Sequence, residues 1–264
     1  MIRLIALDID DTLVVSGKPV SPRNAEAIRR AREKGVKIVI ATGRGFAGSL
    51  PIRSQLKLDE PVINYGGALV SDGLTGKPLY THYLTEEEVR ACFAAADRFG
   101  LHIQIYNGDE VLFREWNAFT EAYTNVMHLP YRIDSDLLKS DELLTTPKVL
   151  MYTAPETVPF MIEKMKGLLP DSLRILTSKP GFLEVGNTSV NKATALEWIA
   201  KDLGIAREEV AAIGDNTLDL TMIEWAGVGC CVSNGGEEIK AAADRILPSC
   251  VDDGVAYYIE TEVL

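Results

Sequence analysis

Short apolar runs alternate along this sequence with stretches of helical period, and that rhythm leaves few folds open. Residues 2–7 and 36–41 read as buried strands. Between them, residues 22–34 carry charged residues on a helical period, and Gly35 ends the stretch. A strand, a helix and a second strand in that order imply a parallel sheet with right-handed crossovers. Residues 61–64 read as a third strand, and residues 68–70 and 79–82 as a hairpin around Asp72-Gly73-Leu74-Thr75-Gly76. The last third repeats the rhythm: helix at 192–203, strand at 210–213, helix at 218–225, strand at 227–232, helix at 237–244.

The middle differs. Residues 85–99 read as a helix capped by Thr85 with Glu86, Glu87 and Glu88 in its first turn. Residues 101–106 and 111–114 form a hairpin pattern around Asn107-Gly108, and elements follow at 149–153, 158–169, 172–177 and 182–185. Hairpins mixed with helices predict an α+β unit at 84–185, inserted into an α/β domain made of 1–83 and 186–264.

Composition narrows the function. Hydrophobic residues make up 47% and charged residues 25%, as in an ordinary globular chain with a sizeable core. The net charge of −11 argues against nucleic acid as a partner, since phosphate backbones are held by clustered Lys and Arg. An anionic substrate would need the field reversed locally by cations or amide groups. Cys92, Cys230, Cys231 and Cys250 lack metal-site spacing and read as buried small hydrophobes in a reducing compartment. The first residues lack a signal-peptide layout, and no apolar run is long enough to span a bilayer, so a cytoplasmic protein without membrane contact is expected.

Four segments carry chemistry. Asp8-Ile9-Asp10-Asp11-Thr12-Leu13 directly follows a strand, and its crowded carboxylates either fan into water or are held by a cation. Thr42-Gly43-Arg44 follows the second strand, where a hydroxyl and a Gly amide can hold a phosphate oxygen. Lys192 opens a helix. Gly214-Asp215-Asn216-Thr217-Leu218-Asp219 follows another strand, and a helical turn would put Asp215 and Asp219 on one face. Each alone has an ordinary structural reading: an acidic loop, a turn, a surface lysine, a helix cap. Together they bring Asp8, Thr42 and Asp215 to one edge of a parallel sheet, where open α/β folds bind ligands. Carboxylate oxygens there suit a hard cation such as Mg²⁺, and Lys and Thr donors suit a transferring phosphoryl group.

These residues resemble the haloacid dehalogenase superfamily, and within it the Cof-type sugar-phosphatase branch with a large inserted cap. The four segments match its four motifs, with Val190-Asn191-Lys192 as the third, and Ser233-Asn234-Gly235 and Asp253-Gly254-Val255-Ala256 also fit the branch. The resemblance implies a Rossmann-like core with a C2-type cap at 84–185, and a Mg²⁺-dependent phosphatase acting on small phosphorylated metabolites. It implies Asp8 as nucleophile and Asp10 as acid and base. Thr42, Gly43 and Lys192 would hold phosphoryl oxygens. Mg²⁺ would be bound by Asp8, the Asp10 backbone carbonyl and Asp215, with Asp219 acting through water or from the outer shell. The cap contacts it suggests are His102, Tyr106, Arg114, Arg132 and Glu184. A monomer or weak homodimer is expected.

Three positions depart from the branch pattern: Asp11 stands where Gly is usual, Leu218 where Asn is usual, and Gly66-Gly67-Ala68 where Asn-Gly-Ala is usual, with Asn64 two places early. Other readings use the same chain. A phosphotransferase or mutase would pass the phosphoryl group to a sugar, and a non-catalytic protein would only bind the phosphometabolite. Gly43-Arg44-Gly45-Phe46-Ala47-Gly48 matches the dinucleotide fingerprint, with Asp59 or Glu60 as the ribose acid. That reading leaves Asp8, Lys192 and Asp215 unexplained.

Overall fold

The computed structural model describes residues 1–15, 17–138, 145–177 and 179–264. In chain order the first elements are β1 (Leu4–Leu7), α1 (Pro22–Glu33), β2 (Lys37–Ile40), α2 (Phe46–Leu56), β3 (Val62–Asn64), β4 (Leu69–Ser71) and β5 (Pro78–Thr81). Next come α3 (Glu86–Phe99), β6 (His102–Asn107), β7 (Glu110–Phe113), α4 (Ala118–Met127), β8 (Tyr131–Ile133), β9 (Val149–Tyr152), α5 (Val158–Met165), β10 (Leu173–Leu176) and β11 (Phe182–Asn187). The chain closes with α6 (Lys192–Asp202), β12 (Val210–Gly214), α7 (Leu220–Trp225), β13 (Val228–Val232), α8 (Glu237–Ala242), β14 (Arg245–Leu247) and α9 (Gly254–Glu262). Two compact units result: residues 1–80 with 191–264, and residues 81–190. Among the described residues, no helix is long and apolar enough to cross a membrane.

The first unit is built on a parallel sheet ordered β14-β13-β12-β1-β2. Its central strands are apolar at every position because both faces are covered. Side chains alternate between the faces. Ile5, Leu7, Ile38, Ile40 and Ile213 pack on one side with Ala27 and Ile28 of α1, Ile52 of α2, and Tyr258 and Ile259 of α9. Leu4, Ala6, Val39 and Ala212 pack on the other with Leu196 and Ile199 of α6 and Met222 of α7. Each Val, Leu, Ile or Met among them contributes about 1.5–3 kcal/mol by leaving water. β3, β4 and β5 form a small second sheet, tied to the edge of the first by a bridge between Ala41 and Ile63.

The second unit is a six-stranded sheet ordered β10-β11-β9-β6-β7-β8, antiparallel except for the β7–β8 pair. One face packs on α3 and α5 through Val89, Phe93, Ile103, Ile105, Val149, Met151, Met165 and Leu183. The opposite face meets α4 through aromatic contacts; Phe119 stacks on Tyr152 with ring centroids 4.3 Å apart. Thr85 caps α3 as expected, in a reciprocal box with Glu88.

Parallel pairing decides where the chemistry goes. Leu7 lies opposite Ile40 on one side and opposite Ile213 on the other. The three strands therefore end level, and Asp8, Thr42 and Asp215 leave the same sheet edge. One expectation needs correction. The helix read from Leu218 begins only at Leu220, so Asp215 and Asp219 do not share a helical face. They converge because the 215–219 segment turns back on itself, its backbone N–H groups bonding the Asp219 carboxylate.

Candidate active site

Asp8 is the first residue after β1 and is 5% exposed. Lys192 opens α6 and is 2% exposed. Its ammonium donates to Asp8 Oδ1 at 2.6 Å and also to Asp219 Oδ1. The other oxygen of Asp219 accepts the backbone N–H groups of Asp215 at 3.1 Å and Asn216 at 3.2 Å. Asp215 Oδ1 accepts from the Thr12 hydroxyl at 2.8 Å and from the Asn216 amide at 3.2 Å. Carboxylate oxygens of Asp8, Asp215 and Asp219 all lie within 4.8 Å of one another. The structure thus brings together four of the residues singled out in the sequence, from two loops and one helix.

Two glycines make this closeness possible. A Cβ on Gly67 would stand 2.1 Å from the carbonyl oxygen of Asn191, and its φ of 110° is foreign to side-chain-bearing residues. Gly67 therefore lets the chain after β3 lie directly against the start of α6, where Lys192 sits. A Cβ on Gly214 would stand 2.4 Å from that of Asp219, so only glycine leaves room for Asp219 beneath the end of β12.

One ammonium shared by two buried carboxylates, with a third nearby, is a site short of positive charge. Burial pushes the Asp8 carboxyl up to about 8, and the charge of Asp219 adds to the rise against the opposing pull of Lys192. Burial likewise pushes Asp215 up to about 6, with Asp219 adding and the Thr12 hydrogen bond opposing. Burial works against the Lys192 ammonium, but the charges of Asp219 and Asp8 outweigh it and raise its pKa. Three hard oxygen donors at this separation, with excess negative charge, fit a small divalent cation. The donors suit Mg²⁺ better than a soft metal, because Cys231, a nearby sulfur behind Gly235, is fully buried and its thiol points to the Val232 carbonyl.

The remaining expected residues lie around this cluster. Thr42 is buried after β2, and its hydroxyl accepts from the Arg44 N–H at 3.2 Å. Gly43 is half-buried, and a Cβ there would meet nothing within 4 Å. The Asp10 side chain stands outside the carboxylate cluster and takes a two-pronged ion pair from Arg44, at 2.9 Å from Nε and 2.5 Å from Nη2.

The departures also find their places. Asp11 sits at φ 59°, the left-handed conformation in which glycine is at ease and Asp is tolerated, and its side chain is exposed. Asn64 does not stand in for an amide at Gly66: its oxygen accepts from Ser71 and its amide donates to the Arg44 carbonyl. Leu218 is half-buried, and the amide that reaches Asp215 comes from Asn216.

In the second unit the suggested contact residues are engaged with neighbours in that unit. His102 lies between Gln104 and Asn117, and Tyr106 bonds Gln104 and Tyr123. Arg114 pairs with Asp97, Arg132 lies near Glu110 and Asp134, and Glu184 pairs with Lys148 at 2.9 Å.

The dinucleotide fingerprint does not form its site. It follows β2 at the end of the five-stranded order, and both acids are tied to cations: Asp59 to Arg32 at 2.8 Å, Glu60 to Arg32 and Lys37 at 3.6 and 3.9 Å. Two residues of the cluster's surroundings were quoted in the sequence without a role, Thr12 and Arg44. Their partners become visible only when the loops after β1, β2 and β12 are laid side by side.

Known proteins resemble the whole chain. Residues 5–259 match the haloacid dehalogenase-like hydrolases. The chain is 28% identical over 290 residues to phosphatase YwpJ of Bacillus subtilis, covering 98% of this chain and 99% of that one. It is 27% identical over 271 residues to 5-amino-6-(5-phospho-D-ribitylamino)uracil phosphatase YitU of the same organism, covering 97% and 96%. A solved haloacid dehalogenase-like hydrolase from Bacteroides thetaiotaomicron is 30% identical, with a TM-score of 0.87 over 98% of this chain and 99% of its own.

Proposed function

Because the chain belongs to the haloacid dehalogenase-like hydrolases, we propose that it is a Mg²⁺-dependent phosphatase that hydrolyses phosphate monoesters of small metabolites through a phosphoryl group carried on Asp8. The observation that carries this reading is the buried Lys192 ammonium bridging Asp8 and Asp219, with Asp215 in reach of both acids. A buried carboxylate held by one oxygen keeps its position, and a rigid nucleophile aimed at phosphorus is what in-line displacement requires.

Asp8 forms a bond to phosphorus as the bond to the leaving oxygen breaks, and Asp10 gives that oxygen a proton. Asp10, now a carboxylate, takes a proton from water as the water oxygen bonds to phosphorus and the Asp8–phosphorus bond breaks. Thr42, Gly43 and Lys192 hold the phosphoryl oxygens throughout. Asp8, Asp215 and the Asp10 backbone carbonyl would hold Mg²⁺, which when bound supplies positive charge against the phosphoryl oxygens. Asp219, with one oxygen on Lys192 and the other on two backbone N–H groups, positions the ammonium and the turn.

The substrate class is a phosphorylated sugar or polyol. The Cof-type motifs support it, and the name of the relative YitU carries a phosphorylated ribityl group. The inserted unit serves as the specificity cap.

The test is phosphate release from p-nitrophenyl phosphate and a panel of sugar phosphates. Asp8→Asn is expected to abolish turnover with folding intact. EDTA is expected to stop the wild-type reaction and Mg²⁺ to restore it. Substantial turnover by Asp8→Asn, or indifference to chelation, would refute the proposal.

A further inference from the structure

Beyond Gly43, the segment Arg44-Gly45-Phe46-Ala47-Gly48 is left without a purpose once the dinucleotide reading is set aside. Its arginine is held on every side. The Arg44 N–H bonds the Thr42 hydroxyl, and its carbonyl accepts from Tyr65 N–H at 3.1 Å and the Asn64 amide at 3.3 Å. Asn64 is fully buried and is itself oriented by Ser71 at 2.9 Å. At the far end of the side chain, Nη1 donates to the Gly48 carbonyl at 2.9 Å. A Cβ on Gly48 would stand 3.2 Å from Arg44 Cβ, so glycine gives the side chain its path along the first turn of α2. What remains of the guanidinium, Nε and Nη2, grips both oxygens of Asp10.

Stability gives no reason for so much fixing. The pair is partly exposed, with the Arg44 and Asp10 side chains at 33% and 41%, and exposed ion pairs contribute little to stability. A two-pronged fork adds geometry rather than energy: it fixes both the position and the plane of a carboxylate.

We infer that Arg44 is the positioning residue of Asp10, holding its carboxyl group in one place and one plane through both halves of the reaction. This rests on the reading of Asp10 as acid and base. The fork holds both Asp10 oxygens, so the carboxyl group meets the leaving oxygen and then the water from one position and in one plane. Thr42, Asn64, Ser71 and Gly48 act through Arg44, and this accounts for the early asparagine and for Gly48.

The experiment compares leaving groups. Release of alcohol or phenol in the first turnover is measured with Mg²⁺ for an alkyl phosphate, whose oxygen must be protonated, and for p-nitrophenyl phosphate, whose phenolate departs unaided. In Asp10→Asn the ratio of alkyl to aryl rates is expected to fall about 10²- to 10⁴-fold. In Arg44→Met it is expected to fall about 10- to 100-fold, the range that orienting partners carry. Arg44→Lys keeps the charge without the fork and is expected to fall between Arg44→Met and wild type; it also carries the test if Arg44→Met fails to fold. Equal losses on both substrates, or a change confined to KM, with Asp10→Asn still selective, would overturn the role of Arg44 and leave the acid–base assignment standing. An Asp10→Asn variant without leaving-group selectivity would remove that assignment and this inference with it.

Discussion

Three carboxylates crowd one ammonium around Asp8, in a place nearly closed to water. The sign of the consequence follows from the raised pKa values. Asp8 rises from an ordinary 3.8 to about 8 and Asp215 to about 6, so both bind protons more tightly folded than unfolded. Their contribution to stability is whole below the ordinary carboxyl range. It is lost as pH climbs, through about 6 for Asp215 and about 8 for Asp8. Lys192 stays charged in both states across that range and does not alter the sign. With EDTA present, Tm is therefore expected to fall between about pH 5 and about pH 8, and Mg²⁺ to raise Tm more at the upper end, where protons no longer compete. Asp8→Asn is expected to flatten the upper part of the fall. A Tm that climbs over that interval in EDTA would contradict the charge balance described. At this scale Asp8, Lys192, Asp215 and Asp219 were legible in the sequence, because each stands at a strand end or helix start. Thr12 and Arg44 were not, because a hydroxyl on Asp215 and a fork on Asp10 exist only between loops far apart in the chain.

The strands and helices of the first unit were legible for a different reason. Unbroken apolar runs such as Leu4–Leu7 and Val210–Gly214 can be buried on both faces only inside a parallel sheet. The elements that escaped notice lack such a signature. β14 is short, with Arg245 and Ile246 exposed. α9 opens on Gly254, which reads as a break. α4 buries only Thr120 and Tyr123, too few to mark a face. A spacing of four suits a helical turn at 215–219, but here the Asp219 carboxylate draws in the backbone N–H groups and the helix starts after it. Element packing carries its own prediction. Gly67→Ala places a methyl against the Asn191 carbonyl and forces a non-glycine into a φ of 110°. It is expected to cost about 1–3 kcal/mol in urea unfolding and to lower kcat by displacing Lys192. Unchanged stability and kcat would show that the start of α6 does not depend on that contact.

At the scale of the molecule, a chain of net charge −11 needs its field reversed locally to hold an anion. The first unit is assembled from both ends of the sequence, residues 1–80 and 191–264, so Asp8 and the Lys192 that pairs with it come from different segments of the chain. That arrangement explains how a large α+β unit can stand between them without disturbing the register of β1 and β12. The central claim is that Asp8 carries the phosphoryl group. Its most direct test is mass spectrometry of the enzyme quenched in acid during the first turnover of p-nitrophenyl phosphate with Mg²⁺. One added phosphoryl group on the peptide containing Asp8, assigned to that side chain, is the expected result. A phosphoryl group on another residue, or an unmodified Asp8 peptide throughout a turnover that releases phosphate, would contradict it.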